Sequence, residues 1–126
     1  KLLDNALEKI LTLTTDAFEF DDARTASQVE PLEQVIDILV ERLRAQHIKR
    51  LKDGACSIDT GVVYLDVLNN VERISDHCSN IAGCVIDAAR HNLNLHETLR
   101  AAQTQDPDFA GRFRDYAQTY RLPEGE

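Results

Sequence analysis

The sequence predicts an all-α protein: an antiparallel three-helix bundle with an additional C-terminal helix. Apolar residues recur every three or four positions and never alternate over a sustained stretch, which is the period of a helix and not of a strand. Only three prolines occur in 126 residues, and the chain breaks mainly near Asp21-Asp22 and near Gly54. Three long helical segments are therefore expected ahead of a shorter C-terminal part.

The first two helices have recognisable ends. The first runs from the N-terminus to about Phe20, and the second starts near Val29. Pro31 is tolerated there because the first N–H groups of a helix have no partner within the helix. Lysine and arginine gather at the end of the second helix, where the helix dipole favours positive charge, and Gly54 provides a stop. Since the turn around Gly54 is short, the second and third helices are expected to form an antiparallel hairpin.

The third helix is the longest, and it begins after Ser57, a favourable N-cap. Its apolar residues keep a heptad-like spacing over 25 residues. They are Tyr64, Val67, Val71, Ile74, Cys78, Ile81, Val85 and Ala88. We interpret this seam as the part of the helix that packs in the bundle. The core residues expected from it and from the second helix are Leu39, Val71, Ile74 and Ile81.

Two shorter helices are predicted after His91. Asn94 and Glu97 resemble a capping box that opens the first of them. Asp106-Pro107 predicts the N-cap and first-turn proline of the second. The chain therefore ends in a short helical pair.

The last helix carries an aromatic stripe at offsets of four, three and four. The stripe consists of Phe109, Phe113, Tyr116 and Tyr120. It is interpreted either as a lid on the open groove of the bundle or as a dimer or partner surface. The predicted organisation is a bundle over residues 1–92, with residues 93–126 as a C-terminal helical extension packed on the same domain.

Composition and motifs argue against several classes of function. Fourteen Lys+Arg against 22 Asp+Glu give a net charge of −8, which disfavours nucleic-acid binding and contact with an anionic membrane surface. No apolar stretch approaches the roughly 20 residues of a membrane helix, and no signal-peptide pattern opens the chain. The three cysteines match no zinc spacing and predict free thiols in a reducing compartment. No P-loop, dinucleotide fingerprint or catalytic triad is recognisable, so an enzyme is not expected.

Two acidic motifs suggest a metal site. Glu33 and Asp37 lie four residues apart on the second helix, and Glu72 and Asp76 lie four apart on the third, so each pair shares a helix face. Facing residues of an antiparallel hairpin have a nearly constant sum of residue numbers. Glu33 with Asp76 and Asp37 with Glu72 both give 109, and half of that sum falls on the turn. Four carboxylates at one level favour a cation with hard oxygen ligands, such as iron, manganese, magnesium, calcium or zinc.

The predicted seam places these carboxylates on the outside of the bundle. If Val71, Ile74 and Cys78 face the core, Glu72 lies on the flank of the helix and Asp76 points largely away from the core. A metal ion would then be bound on the outer surface, open to water. The other interpretation is a solvated acidic face on a protein of net charge −8. His77 offers a nitrogen ligand, although a lone surface histidine is the more common case.

One longer segment resembles a known family. Residues 72–82, ERISDHCSNIA, are similar to the ERIGDHxxNIA segment of PhoU domains, with Ser75 where glycine is often found. Residues 33–37 resemble the matching motif on the preceding helix, and the resemblance covers residues 1–92. It implies a three-helix bundle whose paired (Glu/Asp)-x-x-x-Asp motifs hold iron, zinc or another divalent metal on the bundle surface. The implied metal ligands are Glu33, Asp37, Glu72 and Asp76.

The resemblance also implies a function. Stand-alone PhoU proteins carry two such bundles, whereas this chain carries one. A single bundle followed by an aromatic tail and the ending 120–123 resembles the C-terminal part of bacterial sodium–phosphate cotransporter-related proteins. The chain, which starts without Met, would then be a soluble regulatory domain on the cytoplasmic side of the plasma membrane.

The partners follow from the same resemblance. They are the transmembrane transporter portion of the same full-length chain or a second copy of this chain, with no nucleic acid and no identified small-molecule substrate. The alternative is a stand-alone PhoU-like regulator of phosphate uptake, or a helical scaffold or dimerisation module without metal.

Overall fold

The computed structural model describes residues 1–90 and 95–123, the second range with side chains from residue 99 onward. All regular elements in these ranges are helices, which confirms the predicted fold class. They are α1 (Leu2–Glu19), α2 (Ala23–Ala26), α3 (Val29–Lys52), α4 (Ile58–Arg90), α5 (Leu95–Gln105) and α6 (Phe109–Thr119). No helix within the described ranges has the length and apolarity needed to cross a bilayer.

Local hydrogen bonds explain where the helices begin and end. The Ser57 hydroxyl accepts the backbone N–H of Thr60 at 3.3 Å, as expected of an N-cap of α4. Gly54 has φ +70°, the left-handed conformation that ends α3. The short helix α2 was not predicted. It forms because the Asp22 carboxylate accepts the N–H groups of Arg24 and Thr25 at 3.0 and 3.2 Å.

The hairpin of α3 and α4 has the predicted register. The Ser79 hydroxyl donates to the carboxylate of Glu30, and these two residue numbers add up to 109. Nearer the turn, Nε2 of buried His47 lies 3.1 Å from the carbonyl oxygen of Gly61, and these numbers add up to 108. A Cβ atom on Gly61 would lie 3.0 Å from the same Nε2, so glycine permits the close approach of the two helices.

The core confirms part of the predicted set and corrects the rest. Leu39 and Val71 are buried, but Ile74 and Ile81 are 37% and 40% exposed, so their assignment to the core is wrong. Helix α4 is rotated by roughly 50° from the predicted orientation, half the 100° step between successive residues, because Val71, Cys78 and Val85 stay on the buried side while Ile74 and Ile81 leave it. Its buried line contains Leu68, Ser75, Ala82 and Ile86, together with Val71, Cys78 and Val85. Ser75 and Ala82 are small, and small side chains allow α4 to approach its neighbours closely.

The C-terminal helices differ in detail from the prediction. Helix α6 begins at Phe109 and not at Pro107, because the Asp106 carboxylate accepts the N–H of Asp108 at 2.9 Å and holds a turn ahead of the helix. The aromatic stripe lies along α3, with Phe113 packed against the core and Tyr120 buried. The predicted capping box at Asn94 and Glu97 and the boundary at residues 92–93 lie outside the residues whose side chains are described.

The rotation of α4 can be measured by comparing two isoleucines. Ile36→Ala should lower the free energy of unfolding by about 2–5 kcal/mol, because Ile36 is fully buried. Ile74→Ala should cost less than about 1 kcal/mol, because the side chain is substantially solvated and alanine favours the helix. Urea denaturation of both variants and the wild type measures the difference. Equal losses would place Ile74 in the core and contradict the rotation.

Candidate metal centre

Three of the four predicted carboxylates come together between α3 and α4. One carboxylate oxygen each from Glu33, Asp37 and Asp76 lies within 4.8 Å of the other two. We call these residues the carboxylate cluster. Oxygens that bind one ion at 2.0–2.6 Å lie at most about 5 Å apart, so the cluster has the dimensions of a single-cation site.

The fourth predicted ligand points elsewhere. The Glu72 carboxylate accepts a hydrogen bond from the Arg44 guanidinium at 3.2 Å, and the same guanidinium donates to Asn69 at 2.8 Å. Glu72 therefore does not belong to the carboxylate cluster as it stands. His77 is exposed and is not part of it either.

The cluster is less exposed than the sequence predicted. Glu33 is only 7% exposed and Asp37 is half-buried, while Asp76 is exposed. The expectation that all these carboxylates lie on the outer surface is wrong for Glu33. Glu33 is buried because the start of α3 is covered on all sides, with residues 29–33 buried without a break. The rotation of α4 turns Asp76 from the outside of the bundle to the flank that faces α3. The site is thus a half-open cleft with a buried floor.

Burial and mutual repulsion change the protonation of the cluster. Burial raises the pKa of Glu33 to about 9, with further contributions from the hydrogen bond and charge of Asp37, the charge of Glu30 and a hydrogen bond with Asp76. Burial also raises the pKa of Asp37, against the opposite effect of its hydrogen bond with Glu33. At neutral pH Glu33 therefore holds a proton, and its carboxyl group is hydrogen-bonded to that of Asp37.

Two buried polar atoms, one on α3 and one on α4, have no partner among the described residues. Oδ1 of Asp37 and Oγ of Ser75 are both buried and make no hydrogen bond. A buried acceptor without a partner costs roughly 1–3 kcal/mol, so such atoms are uncommon in folded proteins. A cation in the cleft would satisfy the Asp37 oxygen. The residues present therefore fit a metal ion in both donor chemistry and spacing.

One buried acidic residue near the carboxylate cluster, Glu30, was not predicted. Glu30 is buried, accepts from Ser79 and from the Gln103 side chain at 3.1 Å, and adds its negative charge to the surroundings of Glu33. The hairpin register would have revealed it, because Glu30 and Ser79 have the same residue-number sum as the two acidic motifs. Its role was missed because Glu30 belongs to no four-residue acidic pair.

The protonated Glu33 predicts a pH dependence of stability. The unfolded chain releases this proton near pH 4.5, whereas the folded chain keeps it until about pH 9. The free energy of unfolding should therefore fall as the pH rises through that window, by at most about 1.4 kcal/mol per pH unit. Glu33→Gln, which mimics the protonated acid, should flatten this slope and stabilise the domain at pH 8. Urea denaturation from pH 5 to pH 9 with a chelator present measures it.

The matched control for this measurement is Glu41→Gln. Glu41 lies on the same helix but is exposed, so its removal should leave the slope unchanged. A slope that is the same in Glu33→Gln and in the wild type would show that Glu33 is ionised in the folded chain.

Comparison with known proteins gives an independent view of the same segment. The model of the PhoU domain family matches residues 2–85, which span α1 to most of α4. The chain is 26% identical over 107 residues to the phosphate-specific transport system accessory protein PhoU homolog 1 of Thermotoga maritima. This alignment covers 82% of the chain and 46% of the relative, so the chain spans about half of that protein's length. No solved structure matches significantly.

Proposed function

Since the chain belongs to the PhoU domain family, we propose that it is a non-enzymatic regulatory domain of a phosphate transporter. The transporter would be a sodium-dependent one, with its transmembrane portion in the same full-length chain and this domain on the cytoplasmic side of the plasma membrane. The name of the Thermotoga maritima relative, an accessory protein of a phosphate-specific transport system, supports the link to phosphate transport. A second copy of the chain is the other proposed partner.

A second candidate has a specific observation in its favour. The relative is named as an accessory protein and is about twice as long as the matched region, which is typical of a separate regulator. This chain would then be one unit of a stand-alone regulator of phosphate uptake. The presence or absence of membrane-spanning segments in the full-length gene distinguishes the two candidates.

The regulatory site that we propose is the carboxylate cluster. Glu33, Asp37 and Asp76 would hold an iron, zinc or other divalent cation, and the unpartnered buried oxygen of Asp37 is the observation that carries this proposal. The cation would supply the positive charge that the cluster lacks. Glu33 would give up its proton when the ion binds, because ligands must be deprotonated. Glu72 would become a fourth ligand only if its ion pair with Arg44 opened.

Metal binding predicts a stabilised domain. After stripping with a chelator, titration with Fe²⁺, Zn²⁺, Mn²⁺ or Mg²⁺ should raise the melting temperature for at least one ion. The stabilisation should approach about 2.7 kcal/mol at a hundredfold excess over Kd. It should weaken as the pH falls, since protons compete for the same oxygens. Thermal unfolding followed by circular dichroism measures the shift.

Two variants give this titration its controls. The double variant Asp37→Asn/Asp76→Asn should lose the shift, while Asp66→Asn should keep it, because Asp66 is exposed on α4 and outside the cluster. Glu72→Gln should also keep the shift, because Glu72 of the wild type is paired with Arg44 and lies outside the carboxylate cluster. A melting temperature that never moves, or that moves equally in the double variant, would show that the cluster is only a solvated acidic cleft.

Regulation can be tested separately from metal binding. In cells carrying the full-length gene, Asp37→Asn/Asp76→Asn should abolish the response of phosphate uptake to external phosphate while transport itself continues. Uptake of radiolabelled phosphate before and after phosphate starvation measures this, with Asp66→Asn as the control. Unchanged regulation in the double variant would contradict the proposed role of the cluster.

A further inference from the structure

A cavity lies at the end of the bundle, and arginines from three helices line it. The cavity has a volume of about 370 Å³ and is bounded by α2, the end of α4, the end of α5 and the start of α6. Its arginines are Arg24 of α2, Arg90 of α4 and Arg112 of α6. No member of the carboxylate cluster lines it. Three arginines against the two aspartates of the same wall give it a formal charge of +1, in a chain of net charge −8.

One of the three arginines is fixed in place. The Arg112 guanidinium donates to the Ser27 hydroxyl and to the Asp106 carboxylate, each at 3.2 Å, and the Asp108 carboxylate lies 3.9 Å away. Asp106 and Asp108 are the two acidic residues of the cavity wall, and both form an ion pair with this one arginine. Arg112 is therefore a rigid part of the wall, and the two carboxylates exceed its single positive charge by one.

The other two arginines are not compensated in this way. The guanidinium groups of Arg24 and Arg90 make no hydrogen bond or ion pair with any residue that the structure describes. The nearest acid in sequence to Arg24 is Asp22, whose carboxylate is occupied by the backbone of α2 and by the Thr25 hydroxyl. Two guanidinium groups thus line one cavity with no ion-pair partner among the residues that the structure describes.

We propose that this cavity binds a small phosphate monoester. Guanidinium groups pair with phosphate oxygens through two parallel hydrogen bonds, and Arg24 and Arg90 offer two guanidinium groups to the oxygens of one phosphate. Cavities of roughly 300–1,000 Å³ accommodate small organic ligands, so there is room for more than the phosphate group. Ile86 and Ala102 provide apolar wall for the organic part. The site is separate from the proposed metal centre and would add a second, small-molecule input to the regulatory domain.

Calorimetry with three probes tests the proposal on the purified chain. Adenosine 5′-monophosphate should bind with a Kd below about 1 mM, and adenosine, which lacks the phosphate, should not bind. Inorganic phosphate is the third probe. If it binds as tightly as the nucleotide, the phosphate group alone is recognised, and if it binds more weakly, the organic part contributes. Both results support the site.

Three substitutions locate the binding. Arg24→Gln and Arg90→Gln should each weaken binding about tenfold or more, since each removes a charge-assisted pair. Arg73→Gln, at an exposed position of α4 outside the cavity, should leave Kd unchanged. Thermal melting of each variant verifies that it is folded. The proposal is overturned if neither phosphate probe binds, or if the double variant Arg24→Gln/Arg90→Gln binds them as well as the wild type.

Discussion

The contact between α3 and α4 determines most of this structure. The buried hydrogen bond from Ser79 to Glu30 fixes the two helices in one register, and Gly61 lets them approach closely near the turn. A shift of one residue along either helix would break that bond and turn the carboxylates of the opposing helix by about 100°. The meeting of Asp37 and Asp76 is therefore a consequence of hairpin packing and needs no separate local device.

Packing also determines the protonation of the carboxylate cluster. Burial disfavours the ionised form of Glu33, and Asp37 beside it disfavours a second negative charge, so Glu33 keeps its proton at neutral pH. A proton and a metal cation are alternative ways to neutralise the same oxygens. The proton stabilises the empty cleft but leaves Oδ1 of Asp37 without a partner, and a cation would satisfy that atom at the cost of displacing the proton. The proposed cation would therefore replace a proton and not add to a fully ionised site.

Sequence reasoning predicted the fold and register but not the rotation of α4. Turn length and the constant residue-number sum depend only on the backbone of a hairpin, so the convergence of Glu33, Asp37 and Asp76 could be anticipated. The rotation of α4 depends on the volumes of its side chains. Ile74 and Ile81 are more hydrophobic than Ser75 and Ala82, and a seam chosen by hydrophobicity therefore favours the wrong line, whereas the bundle buries small residues that permit close packing. The ion pair of Glu72 with Arg44 was equally hidden, because Arg44 belongs to no motif.

The carboxylate cluster and the arginine-lined cavity are connected through helices α4 and α5. Glu30 accepts hydrogen bonds from Ser79 on α4 and from Gln103 on α5, so its carboxylate links α3 to both of these helices. Residues of α4 and α5 also form walls of the arginine-lined cavity. The charge of Glu30 contributes to the raised pKa of Glu33, and any displacement of α5 that broke the Gln103 hydrogen bond would change how that charge is compensated. A change at α5 that broke this hydrogen bond would therefore act on the protonation of Glu33 through the charge of Glu30.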